Sequence, residues 1–384
     1  MTAEPIVRSA FSVKRHATVA LLIVGVAVWG AAFIRFPSAR GAQPAEPNGS
    51  APWSIGYLWP FGDPSLPVSD IQWVGLTHLV QYGAIVNADG SLDLSTEHIS
   101  SNADSLVSRG HAAGVKVLLA LIQASWTGQT TTFEQAVFHH RLAFIKRVVD
   151  VVNHYGYDGV SVDSEPVSAS ALNLLAAELR SALGGRLLLA AAPVDQADTF
   201  RPIQGSFDRI SIMTYDLTGA GHSYSWHNAA LYSSDNSVWS VDLAVKRFLA
   251  AGLPAAKLDI GIPFYGLRLT GGGLDGPRQH ATATVSVESI SYRDFVSEIT
   301  PQTYHWDAVA QVPYLSIRAG PDRPKQFVTY DNEQSVAAKI NYVNDHKLGG
   351  WIIWHLQADY IPDAVSKHPL LTAIEKGRRA NSDR

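Results

Sequence analysis

The sequence predicts an α/β fold, a TIM-type (β/α)8 barrel, on three observations. From Trp53 onwards, short apolar, β-rich runs alternate with segments of helical period, the pattern of parallel strand–helix units rather than of hairpins. Eight such runs can be counted, the number that closes a barrel. The fourth, inside YDGVSVDSEP (Tyr157 to Pro166), ends in two carboxylates of one parity. That is the end of a barrel strand at which active sites are built.

In order, the runs are SIGYL from Ser54, THLVQYGA from Thr77, VKVLLALI from Val115, GVSVD from Gly159, RLLLAAAP from Arg186, RISIMTYD from Arg209, LDIGIPF from Leu258 and GWIIWHL from Gly350. In an extended chain successive side chains point to opposite faces and rise about 3.3 Å per residue. Ser161, Asp163 and Glu165 therefore share one face of run four, with Val160 and Val162 on the other. An apolar pair alternating with polar partners marks a strand buried on both sides, where a carboxylate is costly unless paired or used. In run eight, Trp351 and Ile353 have the parity of the helix-facing side, which turns Trp354 inward. Glu165 ends run four, Tyr215 and Asp216 end run six, Tyr265 ends run seven and Trp354 nears the end of run eight.

Between runs three and four, FEQAVFHHRLAFIKRVVDVVNHYG keeps Val137, Leu142, Phe144, Ile145, Val148, Val149 and Val152 near one helical stripe. The barrel domain is expected over 53–370. Residues 267–326, too long for a simple strand–helix loop, are an insertion between strands seven and eight, and 371–384 a polar tail.

With 46% hydrophobic residues in 384, a large core can form. A net charge of −4 with 17% charged residues provides no field for nucleic acid or acidic polymers. Ten Trp and fourteen Tyr supply flat apolar faces of the kind that stack on sugar rings. The absence of cysteine excludes disulfides, thiolate metal sites and a lipid-anchored Cys. GGGLDG (Gly271 to Gly276) satisfies G-x-G-x-x-G literally, but Pro277 and a Thr-rich stretch stand where a phosphate-capping helix is required, which excludes a nucleotide site. His139 and His140 fall on different helix faces without acidic partners at ligand spacing, so no metal and no cofactor is expected.

The first residues read differently. Ala17 to Ile34 is an uncharged apolar run of eighteen, preceded by Arg8, Lys14 and Arg15. It is about the minimum length of a membrane span and long for the apolar part of a signal peptide. Residues 1–36 are expected to be a signal peptide or a signal anchor, followed by a linker over 37–52. Either would place the barrel outside the cytoplasm, secreted or anchored, with membrane contact only through this segment if it is uncleaved.

YDGVSVDSEP resembles the signature D-G-x-D-x-D-x-E of family-18 glycoside hydrolases, the chitinases and their relatives, with Asp158, Gly159, Asp163 and Glu165 in place. Four further segments match in the family's order: THLVQYGAIVNADGSL, SIMTYDLTG, DIGIPFYG and GGWIIWHLQAD. The 267–326 interval resembles a reduced form of the α+β insertion many chitinases carry, with YHWDAVAQVPYL (Tyr304 to Leu315) as its motif. The resemblance implies hydrolysis of β-1,4-linked N-acetylglucosamine glycans with the substrate's own acetamido group as nucleophile. It makes Glu165 the general acid and base, Asp163 the partner of the acetamido N–H, and Tyr215 the donor to the acetamido carbonyl. Trp354 becomes the floor under the cleaved sugar. Asp216, Tyr265, Ser161 and Tyr57 complete the expected substrate-binding set, and Asp158 and the loop residues His227 and Asn228 are read as architecture.

Departures from the pattern bear on substrate and efficiency. Ser161 stands where the family usually has its middle Asp, which is expected to leave Asp163 more permanently ionised. Ser164 replaces an aromatic residue, the family's S-x-G-G is Ala120, Leu121, Ile122 and Gln123, and Leu267 stands for the usual Arg, with Arg268 one place late. Peptidoglycan or N-glycan cleavage, and a non-catalytic glycan-binding barrel, remain the alternatives, and retention of Glu165 argues against the last.

Overall fold

The computed structural model describes residues 51–59, 66–95, 99–123, 126–127, 130–165, 167–218, 224–235, 237–321 and 323–382. Residues 1–36, expected to be a signal peptide or anchor, and most of the expected linker lie outside them. Eight parallel strands close on themselves: β1 (Trp53–Leu58), β2 (His78–Val86), β3 (Lys116–Gln123), β4 (Gly159–Val162), β5 (Leu187–Ala192), β6 (Arg209–Ile212), β7 (Leu258–Pro263) and β8 (Gly350–Trp354). Each expected run overlaps one of them, and β1, β2 and β3 extend one or two residues beyond theirs. Closure comes from β1, which pairs with β2 on one side and with β8 on the other.

Strand parity sorts the core into two layers. Inward go Ile55, Tyr57, Val80, Leu118, Ala120, Leu189 and Ile352; outward, against the helices, go Val160, Val162, Ile210, Ile260, Trp351 and Ile353. Burial on both faces explains why the strands read as nearly continuous apolar runs. The inward layer is polar at its N-terminal end. There Trp53 is sandwiched between the His78 ring, 3.9 Å away, and the Arg209 guanidinium, 3.8 Å from the ring centre. Fully buried Asp259 accepts from Ser211 Oγ at 3.1 Å. Burial raises the Asp259 carboxyl to about 7, although Arg209 pulls it down.

Helices α1 (Ile99–Ala112), α2 (Thr132–Tyr155), α3 (Ala169–Leu183), α4 (Val241–Ala250), α5 (Glu333–Asp345) and α6 (Pro369–Ser382) lie outside the strands. Thr131 and Glu134 form a reciprocal capping box that starts α2, and Gly156 ends it in the left-handed conformation. The helix bends at His140, and Leu142, expected on its apolar stripe, is exposed. Glu134 also accepts from the Ser168 amide at 2.9 Å, tying the start of α2 to the start of α3.

The expected polar tail is instead mostly α6. Leu370, Leu371 and Ile374 are buried, and the Asp359 carboxylate caps the helix by accepting from the Leu370 and Leu371 amides at 3.0 and 2.9 Å. Three apolar positions in one helix are enough once a buried carboxylate supplies the cap. Between β7 and β8 lies a five-stranded antiparallel sheet in the order 285–291, 265–271, 326–329, 312–317, 304–307. It is wider than the expected 267–326, because Tyr265 and Gly266 belong to its first strand and Phe327 to Thr329 to its last.

Candidate active site

The β4 ladder ends at Val162, but the Asp163 amide still donates to the Leu121 carbonyl at 3.0 Å, so strand alignment holds to the first carboxylate. Ser161 is fully buried and shares a hydrogen bond of 2.8 Å with the Tyr57 hydroxyl. Asp163 is buried, whereas Glu165, two residues on and past the strand, is exposed. Burial pushes the Asp163 carboxyl well above the usual carboxylate range, and the charge of Glu165 pushes it further. The expectation that losing the middle carboxylate leaves Asp163 more permanently ionised is thus opposed by burial. Neutral Ser161 removes one repulsion, but desolvation is the larger effect.

Strand β6 stops at Ile212, short of the expected Asp216, and the reason is Thr214. Its hydroxyl donates to the Gly261 carbonyl at 2.9 Å and accepts from the Gly261 amide at 2.8 Å, taking over both backbone partners. The Tyr215 ring then lies on Gly261, where an added Cβ would come within 2.6 Å of the ring. Asp216 adopts a left-handed φ of 56° and donates its amide to Asn228 Oδ1 at 2.8 Å. Tyr265 does not end β7, which stops at Pro263; it opens the inserted sheet and donates its hydroxyl to Asp216 at 2.7 Å. Burial and the neighbouring carboxylates hold the Tyr215 phenol far above its ordinary range, and burial with Asp216 does the same for Tyr265. Both phenols are therefore donors at any physiological pH.

Trp354 is half-buried at the end of β8, with the Tyr82 ring edge-on at 5.0 Å, Tyr57 tilted against it at 5.8 Å and Trp59 stacked at 6.1 Å. All eight residues expected at the site thus belong to the inward face or to the loops at the C-terminal strand ends. Tyr57, Tyr215 and Tyr265 each feel the charge of Glu165. Sequence reasoning missed Trp59, Tyr82, Gln123 and the part played by Asn228. Tyr82 shares parity with inward Val80, a signal that was available in the run itself.

The arrangement offers two acidic groups at one strand end, two phenol donors opposite, and an aromatic floor. The chain itself is similar to known proteins. The family model described as glycosyl hydrolases family 18 covers residues 56–359. Chitinase A1 of Niallia circulans is 30% identical over 263 residues, 57% of this chain and 37% of that protein. A probable endochitinase of Caenorhabditis elegans is 28% identical over 301 residues, 68% of this chain and 48% of that protein. The chain therefore spans less than half the length of these curated relatives. In fold, it superposes on a Group IV chitinase of Ostrinia furnacalis, solved in complex with allosamidin, with a TM-score of 0.72 at 24% identity, covering 85% of this chain and 98% of that one. With the family model matched from Gly56 in the first barrel strand to Asp359 beyond the last, the chain belongs to the glycosyl hydrolases family 18.

Proposed function

We propose that the chain is a retaining glycosidase that cleaves β-1,4-linked N-acetylglucosamine glycans, chitin or chitooligosaccharides, with assistance from the substrate's acetamido group. The observation that carries the reading is the pairing of buried Asp163 with exposed Glu165 at one strand end, opposite the Tyr215 and Tyr265 phenols. Two carboxyl groups in such a setting hold one proton between them more readily than none. On substrate binding, Glu165 gives that proton to the leaving oxygen while Asp163, now ionised, accepts from the acetamido N–H and offsets the positive charge of the cyclised intermediate. Tyr215 donates to the acetamido oxygen as it attacks the anomeric carbon. Trp354 carries the apolar face of the sugar, and Asp216 with Tyr265 binds its hydroxyls. Glu165, now a carboxylate, takes a proton from the water that opens the ring.

A second reading, cleavage of peptidoglycan or of an N-glycan by the same chemistry, is favoured by neutral Ser161, bonded to Tyr57 where the family usually has a carboxylate. These substrates lie outside the cytoplasm, and the apolar run from Ala17 to Ile34 supports the same location by secretion or anchoring.

The test is product release from a chitooligosaccharide, a muropeptide-bearing glycan and an N-glycan, run side by side with wild type and Glu165→Gln. Loss of a general acid costs roughly 10² to 10⁴ in rate. Wild type should release product and the Gln variant should not, while glycan binding survives. Retention of more than about a tenth of turnover by Glu165→Gln, or efficient cleavage of a glucose polymer, would show the mechanism to be wrong.

A further inference from the structure

We infer that Gln123 and Ser164 are positioning residues that act as one clamp on the backbone of Glu165, an inference that rests on the proposed role of Glu165 as the acid. These are two of the positions at which the chain departs from the family's pattern, and the structure joins them. The Gln123 side-chain carbonyl accepts from Ser164 Oγ at 3.0 Å, and its amide nitrogen donates to the Glu165 carbonyl oxygen. One planar amide thus holds both ends of the Ser164–Glu165 segment.

The geometry explains what the amide replaces. Strands β3 and β4 pair in register from Leu118 with Gly159 to Leu121 with Val162, and the last backbone bond between them is Asp163 N to Leu121 O. Beyond it the chains diverge, and the Glu165 carbonyl has left the ladder. Gln123, the last residue of β3, carries a peptide-like group on a side chain, so it extends the ladder by one more donor and one more acceptor. On the far side, the Ser168 amide is held by Glu134. The backbone is therefore held at Ser164 and at Glu165 itself by the Gln123 amide, and again at Ser168 by the Glu134 carboxylate. Ser164 is buried, so its hydroxyl faces Gln123 rather than solvent. A general acid must meet the leaving oxygen within hydrogen-bond reach, and a misplacement of about 1 Å can cost 10²-fold. Neither Gln123 nor Ser164 is assigned a substrate contact, so the clamp acts on turnover rather than on binding.

The experiment compares Gln123→Met, Ser164→Ala and the double variant, with Glu165→Gln as the inactive reference. Each is read by kcat and KM on the best-cleaved N-acetylglucosamine glycan and by deuterium exchange of the backbone over residues 163–168. Gln123→Met should lower kcat by about tenfold with KM within about twofold of wild type, and Ser164→Ala by a lesser factor. The double variant should be no worse than Gln123→Met, because both changes open the same clamp. Exchange over the segment should quicken in all three. Unchanged kcat and exchange in Gln123→Met, losses that multiply in the double variant, or an effect confined to KM would overturn the clamp. If wild type cleaves none of the glycans, the functional reading fails on its own, and exchange alone decides whether the clamp exists.

Discussion

Tyr57 and Ser161 meet hydroxyl to hydroxyl at 2.8 Å inside the barrel, in a place where neither side chain touches solvent. The pair is neutral, and Asp163 lies one side-chain position further along the same strand face. Ser161→Asp would put a third carboxyl into this space, beside one that burial already raises. Expected are a lower melting temperature and a loss of turnover together, since the added charge would be buried beside the neutral Tyr57 hydroxyl. Thermal unfolding and chitooligosaccharide turnover check this. A several-fold gain in turnover at unchanged stability would mean that Ser161 is a lesion in a chitinase site and not part of a refitted one.

Gly261→Ala probes the seat of Tyr215. The new methyl would stand 2.6 Å from the ring, and the Thr214 bonds to the same residue prevent the backbone from yielding. Tyr215 must move, and its hydroxyl with it, so kcat should fall by about tenfold or more. Folding should persist, with overpacking that costs about 1–3 kcal/mol. Steady-state kinetics alongside denaturant unfolding separate the two effects.

Asp259 makes stability depend on pH. Its native carboxyl keeps a proton up to about pH 7, whereas in the unfolded chain it releases it near 4. The native state binds the extra proton between these values, so the Asp259 contribution to stability is largest below pH 4 and is lost as pH rises to 7. Asp259→Asn has no proton to lose. The stability of wild type relative to this variant should therefore decline across that window by up to about 1.4 kcal/mol per pH unit. Urea unfolding at pH 4.5, 6 and 8 measures it, and a constant difference would contradict the assignment.

Lys339 and Asp331 form an ion pair with no solvent contact, at 2.6 and 2.5 Å to the two carboxylate oxygens, and Ser335 Oγ donates to the same carboxylate at 2.6 Å. Lys339→Met strands the buried carboxylate and should cost about 3–5 kcal/mol. Adding Asp331→Leu should restore much of that loss, because the stranded charge goes with it. Chemical denaturation of both variants gives the comparison.

Much of the fold was legible because strand parity is a local property. Val160 and Val162 face the helices, Ser161 faces Tyr57, and Trp351 and Trp354 go to opposite sides, all as alternation alone requires. Strand ends were less legible. Thr214 diverts the backbone through a bond to Gly261, 47 residues later, and no local pattern reports it. The left-handed turn at Asp216 depends on Asn228, which reads as loop architecture until its side-chain oxygen is seen to accept from the Asp216 amide. Gln123 and Ser164 stood out singly as departures, and only the adjacency of β3 and β4 makes them a pair. Three leucine and isoleucine positions in α6 fell below what a polar composition lets one read as a helix, until Asp359 was found at its cap.

The pairing of β1 with β8 also dictates an order of events during synthesis. A ribosome that has delivered β1 to β7 has produced an open sheet, with β1 and β7 each presenting an unpaired edge. Such edges are templates for other chains, and contacts between distant parts of the sequence form slowly. The seal arrives only with Gly350 to Trp354, nearly three hundred residues after Trp53. Whatever shields the nascent chain, by chaperone or by rapid passage across a membrane, must do so until that last strand has emerged.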